Sequence, residues 1–154
     1  MDSIDMDIAA IFANRVLIAG LTAWSLAQIV KVPLNYLVTR SWDWALLLRS
    51  GGMPSSHSAL LAGVTHAIGL YEGFGTPLFA LGVAISMIVI YDATGIRRQA
   101  GKHAEIINKM ILDLAHGHPL HEESLLEVLG HTPLEAAGGL LLGLVVAQTL
   151  WFLW

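Results

Sequence analysis

An all-α integral membrane bundle with about four spans and one amphipathic interfacial helix is the fold this sequence predicts, on three observations. Of the 154 residues, 55% are hydrophobic, and the mean hydropathy is +0.65. Only 13% are charged, where a soluble domain carries roughly a quarter. The charges are also segregated, leaving residues 16–30, 50–71, 73–91 and 136–154 without any Asp, Glu, Lys or Arg. A helix crosses the hydrocarbon with about 20 such residues. One domain, 1–154, is expected. A net charge of −4 gives no ground for a nucleic-acid partner. The lack of cysteine excludes disulfides, a thiolate nucleophile and cysteine-ligated zinc or iron-sulfur sites.

The first span is expected over about 8–30, with the long side chain of Arg15 snorkelling or pairing near its start. Asp2, Asp5 and Asp7 precede it with no Lys or Arg, unlike the positive region of a cleavable signal peptide, so this span is expected to stay. The second, third and fourth spans are expected over about 55–71, 74–91 and 135–154. A polar connection, 92–134, separates the last two and is too long for a bare loop. Within it, 97–115 places Ile106, Ile107, Met110, Ile111 and Leu114 at helical spacing with the charges elsewhere. That pattern predicts an amphipathic helix in the interface or over the bundle end. Gly139 with Gly143, and Gly63 with Ala67, are small-xxx-small pairs suited to helix packing. Lys31, Arg40 and Arg49 fall in the first connection and Arg97, Arg98, Lys102 and Lys109 in the third. The positive-inside bias makes that face cytoplasmic.

Three polar clusters stand out in so apolar a chain. The first, 51–58, is a Gly-Gly turn leading through Pro54 into Ser55, Ser56, His57 and Ser58. A helix N-terminus with serine hydroxyls favours a bound anion, although either serine can equally serve as an N-cap. A cap does not require His57. The second is Asp92 to Arg98, whose two arginines, Arg97 and Arg98, suit phosphate oxygens or membrane anchoring; Asp92 reads as their neutraliser or as a cap. The third pairs His131 with a capping box, Thr132-x-x-Glu135, with Pro133 at the first helical position. A carboxylate that fixes a histidine tautomer makes that histidine a nucleophile or base. On a four-span topology Lys31, Arg40, His57, Arg97, Arg98, His131 and Glu135 share one membrane face, the makings of a phosphoryl-transfer site in which charge stabilisation dominates.

At GGMPSSHSA (51–59), YDATGIRRQAGKHAEIIN (91–108) and LGHTPLEAAGGLLLG (129–143) the sequence resembles the type 2 phosphatidic acid phosphatase and vanadium haloperoxidase superfamily. It resembles more closely that superfamily's small divergent membrane branch. The resemblance implies that Pro54, Ser55, Ser56 and His57 form the phosphate-binding and acid motif, with Ser56 where glycine is usual. Arg97 would bind phosphate, His131 would be the nucleophile, and Glu135 would orient it in place of the usual Asp. His103 satisfies the usual arginine-to-histidine spacing, but Ile107 then stands at the acid position, which favours His131. Lys31 and Arg40, nine apart with Ser41 following, stand for the first, degenerate motif.

The implied activity is a membrane phosphatase that takes a lipid phosphate or prenyl diphosphate through a phosphohistidine, with no cofactor and no metal. The rival of a different class is a membrane protein that binds phosphate or lipid headgroups without turnover; a vanadate-dependent haloperoxidase ranks third. The partners expected are the lipid bilayer and that substrate, with a homo-oligomer as an open alternative. His116, His118 and His121 with Glu122 or Glu123 offer a metal site as the alternative to a solvated loop. His66 reads as a hydrogen-bonded interior histidine, with a proton relay as the alternative.

Overall fold

The computed structural model describes residues 8–48, 51–114 and 131–154, all helix, turn or loop among those residues. Local capping sets most helix starts. A short α1 (Ile8–Ala13) ends at Asn14, whose side chain accepts from Leu17 N at 3.0 Å and opens α2 (Arg15–Thr39). The first long helix therefore begins at Arg15 and continues to Thr39, farther along the chain than the apolar stretch suggested. Arg15 lies over the rings of Tyr71 and Trp154, 5.6 and 5.9 Å from their centroids, which supplies the pairing its position demanded. Lys31 consequently sits inside a helix and not in a connection.

A 3₁₀ turn (Trp44–Leu47) follows, capped by Asp43 on Ala45 N at 3.0 Å. Ser55 caps α3 (Ser56–Glu72), and Thr76 with Pro77 starts α4 (Pro77–Tyr91). A π-helical segment (Asp92–Ile96) then joins α4 to α5 (Arg97–Leu114), so that helix runs on from Pro77 to Leu112. The expected amphipathic helix exists, but as a continuation of α4. The apolar Ile106, Ile107, Met110 and Leu112 of α5 are exposed. The capping box at Thr132 and Glu135 opens α6 (Pro133–Leu153).

Among the described residues, three helical runs can cross a membrane by length and composition: Arg15–Thr39, Pro77–Leu112 and Pro133–Leu153. The remaining apolar stretch is the 17-residue α3, about 25 Å long at 1.5 Å per residue. It is the packing axis, flanked by α2, α4 and α6. The buried core is built from small residues, Ala19, Ala23, Ala27, Ala59, Ala67 and Ala147 among them, whereas Leu21, Ile29, Leu141 and Phe152 face outward. In lipid, apolar surface gains nothing by turning inward, and small residues let backbones approach closely. A Cβ on Gly139 would lie 2.2 Å from the Ser55 carbonyl oxygen, and one on Gly143 would lie 2.4 Å from that of Ala59. A Cβ on Gly20 would meet Val64 at 2.3 Å. These contacts draw α6 and α2 onto α3.

Candidate active site

The ends of α3, α4 and α6 and the second half of α2 meet at one end of the bundle, joined by backbone hydrogen bonds. Ser55 N donates to Glu135 O at 2.9 Å, tying the start of α3 to the first turn of α6. His131 N donates to Ala93 O at 2.9 Å, tying the entry of α6 to the π-helical segment. Gly51 and Gly52, at φ of 111° and 77°, make the turn into the cis Met53–Pro54 bond with backbone that L side chains rarely adopt.

From that frame the side chains converge. The rings of His57 and His131 lie 6.3 Å apart between centroids, tilted by 52°. His57 is exposed at the start of α3, while His131 is only 5% exposed. Glu135 Oε2 accepts from His131 Nδ1 at 3.1 Å and from Thr132 N at 3.0 Å, so one oxygen closes the capping box and fixes the ring. With Nδ1–H donating to a carboxylate, the lone pair is on Nε2, the tautomer a nucleophilic imidazole needs.

Lys31 is buried at 1% exposure, and its Nζ donates to Gln28 Oε1 and to Ser56 Oγ, the latter at 3.4 Å. Gln28 Nε2 donates in turn to Leu47 O at 2.9 Å, so Gln28 links the ammonium to the 3₁₀ turn. The Glu135 carboxylate is near enough to act electrostatically on Lys31. Ser55 and Ser56 are both buried, and Ser55 Oγ accepts from Ser58 N at 3.3 Å and from Ser58 Oγ at 3.1 Å. Ser55 thus acts as the cap, while Ser56 faces Lys31. The positive end of the α3 dipole adds to the charge at this spot.

The structure therefore gathers Lys31, Ser55, Ser56, His57, His131 and Glu135. Arg40 is elsewhere: it ends α2 with φ 59°, exposed, nine residues beyond Lys31, about 13 Å along the axis. Arg98 and His103 are exposed on α5. Arg97 opens α5, and its side chain lies outside the described residues, as do His116, His118 and His121 of the alternative metal loop. Sequence reasoning missed Gln28, although its i,i+3 spacing from Lys31 places both on one helix face. It also missed the π-helical segment that presents the Ala93 carbonyl.

A small-residue bundle that brings a Pro-Ser-Ser-His helix start against a histidine-carboxylate pair is matched by a family model described as "Divergent PAP2 family", over residues 12–146. The chain belongs to the Divergent PAP2 family. The matched region takes in Lys31, the 54–57 stretch, His131 and Glu135, so every residue of the cluster falls within the family's span. A Bacillus subtilis (strain 168) relative described as "Uncharacterized membrane protein YuiD" is 37% identical over 151 residues, covering 91% of this chain and 96% of its own. No solved structure matches. Membership in the Divergent PAP2 family, a membrane relative along nearly the whole length and the three long apolar helices make this an integral membrane protein.

Proposed function

We propose that this protein is a membrane phosphatase that hydrolyses a lipid phosphate or a prenyl diphosphate through a phosphohistidine, at a site on the cytoplasmic face. The observation that carries the reading is the pair of imidazoles, 6.3 Å apart between centroids, one of them held by a carboxylate. In the first step the His131 Nε2 lone pair attacks phosphorus, and the bond to the ester or anhydride oxygen breaks. His57 gives its proton to that departing oxygen. In the second step His57, now neutral, takes a proton from water as the hydroxide oxygen bonds to phosphorus. The P–N bond then breaks, returning inorganic phosphate and His131. Each positioned proton transfer contributes about 10²–10⁴ in rate.

Lys31, Ser56 and the dipole of α3 would hold the equatorial oxygens, with Arg97 and Arg98 as further candidates from α5. Glu135 stabilises the cation that His131 becomes on phosphorylation. The lipid surroundings favour a phosphate carried on a hydrocarbon chain.

The test is phosphate release by the purified protein from lipid phosphates and prenyl diphosphates, with and without chelator, beside His57→Ala and His131→Ala. The expected result is chelator-insensitive release that either substitution abolishes. Release surviving both substitutions would overturn the mechanism, and phosphate binding without any release would identify a headgroup binder.

A further inference from the structure

Below the site, the bundle leaves a cleft. Both α4 and α6 pack on α3, and the close approach at Gly139 and Gly143 seats α6 toward the side of α3 that carries Ser55 and Ala59. Between α4 and α6 lies an apolar groove of about 340 Å³, with Ala62 as part of its floor and Val83, Met87, Ile90, Leu140 and Leu144 among its walls. All three helices bring its near end toward the site. Ala62 is five residues past His57, Leu140 is five past Glu135, and Ile90 is three before Ala93. The groove thus begins about 5–8 Å below the site, at 1.5 Å per residue.

Its polar groups are turned on one another. Thr65 and Ser86 hydroxyls bond at 3.1 Å, and Ser86 also donates to Gly82 O at 2.8 Å. At the far end His66 Nε2 bonds Gln148 Oε1 at 3.0 Å, joining α3 to α6. A second groove, about 360 Å³, continues beyond along α6 with Val145, Gln148, Thr149 and Phe152. His66 and Leu144 line both grooves. The His66–Gln148 bond therefore lies where the two grooves meet.

We propose that the first groove holds the hydrocarbon chain of the phosphorylated substrate, and that the His66–Gln148 bond acts as a partition that sets how long a chain it accepts. This rests on the phosphatase reading for the headgroup end. The occupant follows from continuity, because a phosphate at His57 and His131 leaves the rest of its molecule at the mouth of the groove. The partition lies nine residues below His57 along α3, about 13 Å. A chain reaching past it must separate a hydrogen-bonded pair in an apolar setting, where an unpaired polar group is costly. Since chains gain little by moving from lipid into an apolar groove, fit and obstruction decide the preference.

The test measures phosphate release in detergent micelles from phenyl phosphate, from geranyl, farnesyl, geranylgeranyl and undecaprenyl diphosphates, and from dioctanoyl and dioleoyl phosphatidates. Binding of each is measured in parallel by calorimetry. For the unaltered protein, kcat/KM should rise with chain length and then fall by about tenfold, the low end of what one mismatched methylene does in an apolar pocket. His66→Ala and Gln148→Ala should each move that cut-off to longer chains. Leu140→Trp should lower kcat/KM about tenfold for chain-bearing substrates and leave phenyl phosphate within about twofold, as an obstruction confined to the groove demands. A cut-off confined to the prenyl series assigns an isoprenoid, and one confined to the phosphatidates assigns an acyl chain. A flat chain-length profile, a cut-off unmoved in both partition variants, or equal loss on phenyl phosphate in Leu140→Trp would overturn the proposal. Chain-dependent binding without phosphate release would retire the hydrolase reading and keep the groove. Release without chain dependence would do the reverse.

Discussion

Replacing Glu135 by glutamine and by alanine separates two duties that fall on one oxygen. Oε2 accepts from Thr132 N at 3.0 Å and from His131 Nδ1 at 3.1 Å. Alanine removes the acceptor from both. The lost backbone bond accounts for about 0.5–1.5 kcal/mol, and the His131 donor left unsatisfied in a nearly closed site for about 1–3 kcal/mol more. Glu135→Ala should therefore destabilise by about 1.5–4.5 kcal/mol. Glutamine keeps an oxygen in place, and a capping box accepts it as readily as glutamate, so Glu135→Gln should stay within about 1 kcal/mol of the parent. Its chemistry should nonetheless collapse, because the neutral amide no longer stabilises the cation that forms at His131. Removing the orienting carboxylate of a Ser-His-Asp triad lowers kcat by about 10⁴, which bounds the loss expected here at two to four orders of magnitude. The assays are thermal unfolding in detergent micelles and phosphate release from the same preparations. If Glu135→Gln unfolds along with Glu135→Ala, or releases phosphate at the parent rate, the double duty assigned to that oxygen is wrong.

Three further outcomes follow from the geometry. Lys31→Met exchanges a buried ammonium for an apolar chain of similar length, which buried sites often tolerate, so its melting temperature should change little while phosphate or vanadate affinity falls by about one to two orders of magnitude, read by calorimetry. Gly139→Ala places a Cβ 2.2 Å from Ser55 O and 2.9 Å from Ser58 Cβ. It should cost about 1–3 kcal/mol of overpacking and lower phosphate release, since α6 can yield only by drawing Glu135 away from α3; parent-like melting and turnover would contradict the close-approach account. His57→Ala, given a substrate with a good leaving group, should accumulate an acid-labile, base-stable phosphoprotein on labelling with radioactive phosphate, because losing a positioned base slows the water step by about 10²–10⁴; no trapped species, with normal turnover, would remove His57 from the mechanism.

Much of the candidate site was legible because its parts are local. Ser55 caps α3 and Thr132 with Glu135 caps α6 through contacts three residues apart, which the side-chain types announce. The pairing of His131 with Glu135 is one helical turn long, and so was legible too. Gln28 was less so. Its spacing from Lys31 is a helix-face spacing, but the charge boundary after Val30 predicts the end of the first helix there and puts the ammonium in a connection. In the folded chain Lys31 is enclosed and bonded to Gln28 and Ser56, so α2 carries it without exposing a charge to lipid. Arg40 is grouped with the site by topology, which fixes a membrane face and not a position on it, and by a degenerate motif whose nine-residue spacing sets it about 13 Å from Lys31 along α2.

By itself, the amino-acid order determined that this chain is helical, that it lives in a membrane, where α3 and α6 start, and that two histidines belong to one face. Composition, capping chemistry and charge segregation act over a few neighbouring residues and need no partner. Only the tertiary structure decided that His57 and His131 come within 6.3 Å, that α4 passes through a π turn to present Ala93 O to His131, and that an apolar groove with the His66–Gln148 bond at its far end lies beneath them. In a chain apolar on nearly every side, hydropathy does not say which faces meet. That choice is made by where glycine and alanine allow two backbones to touch.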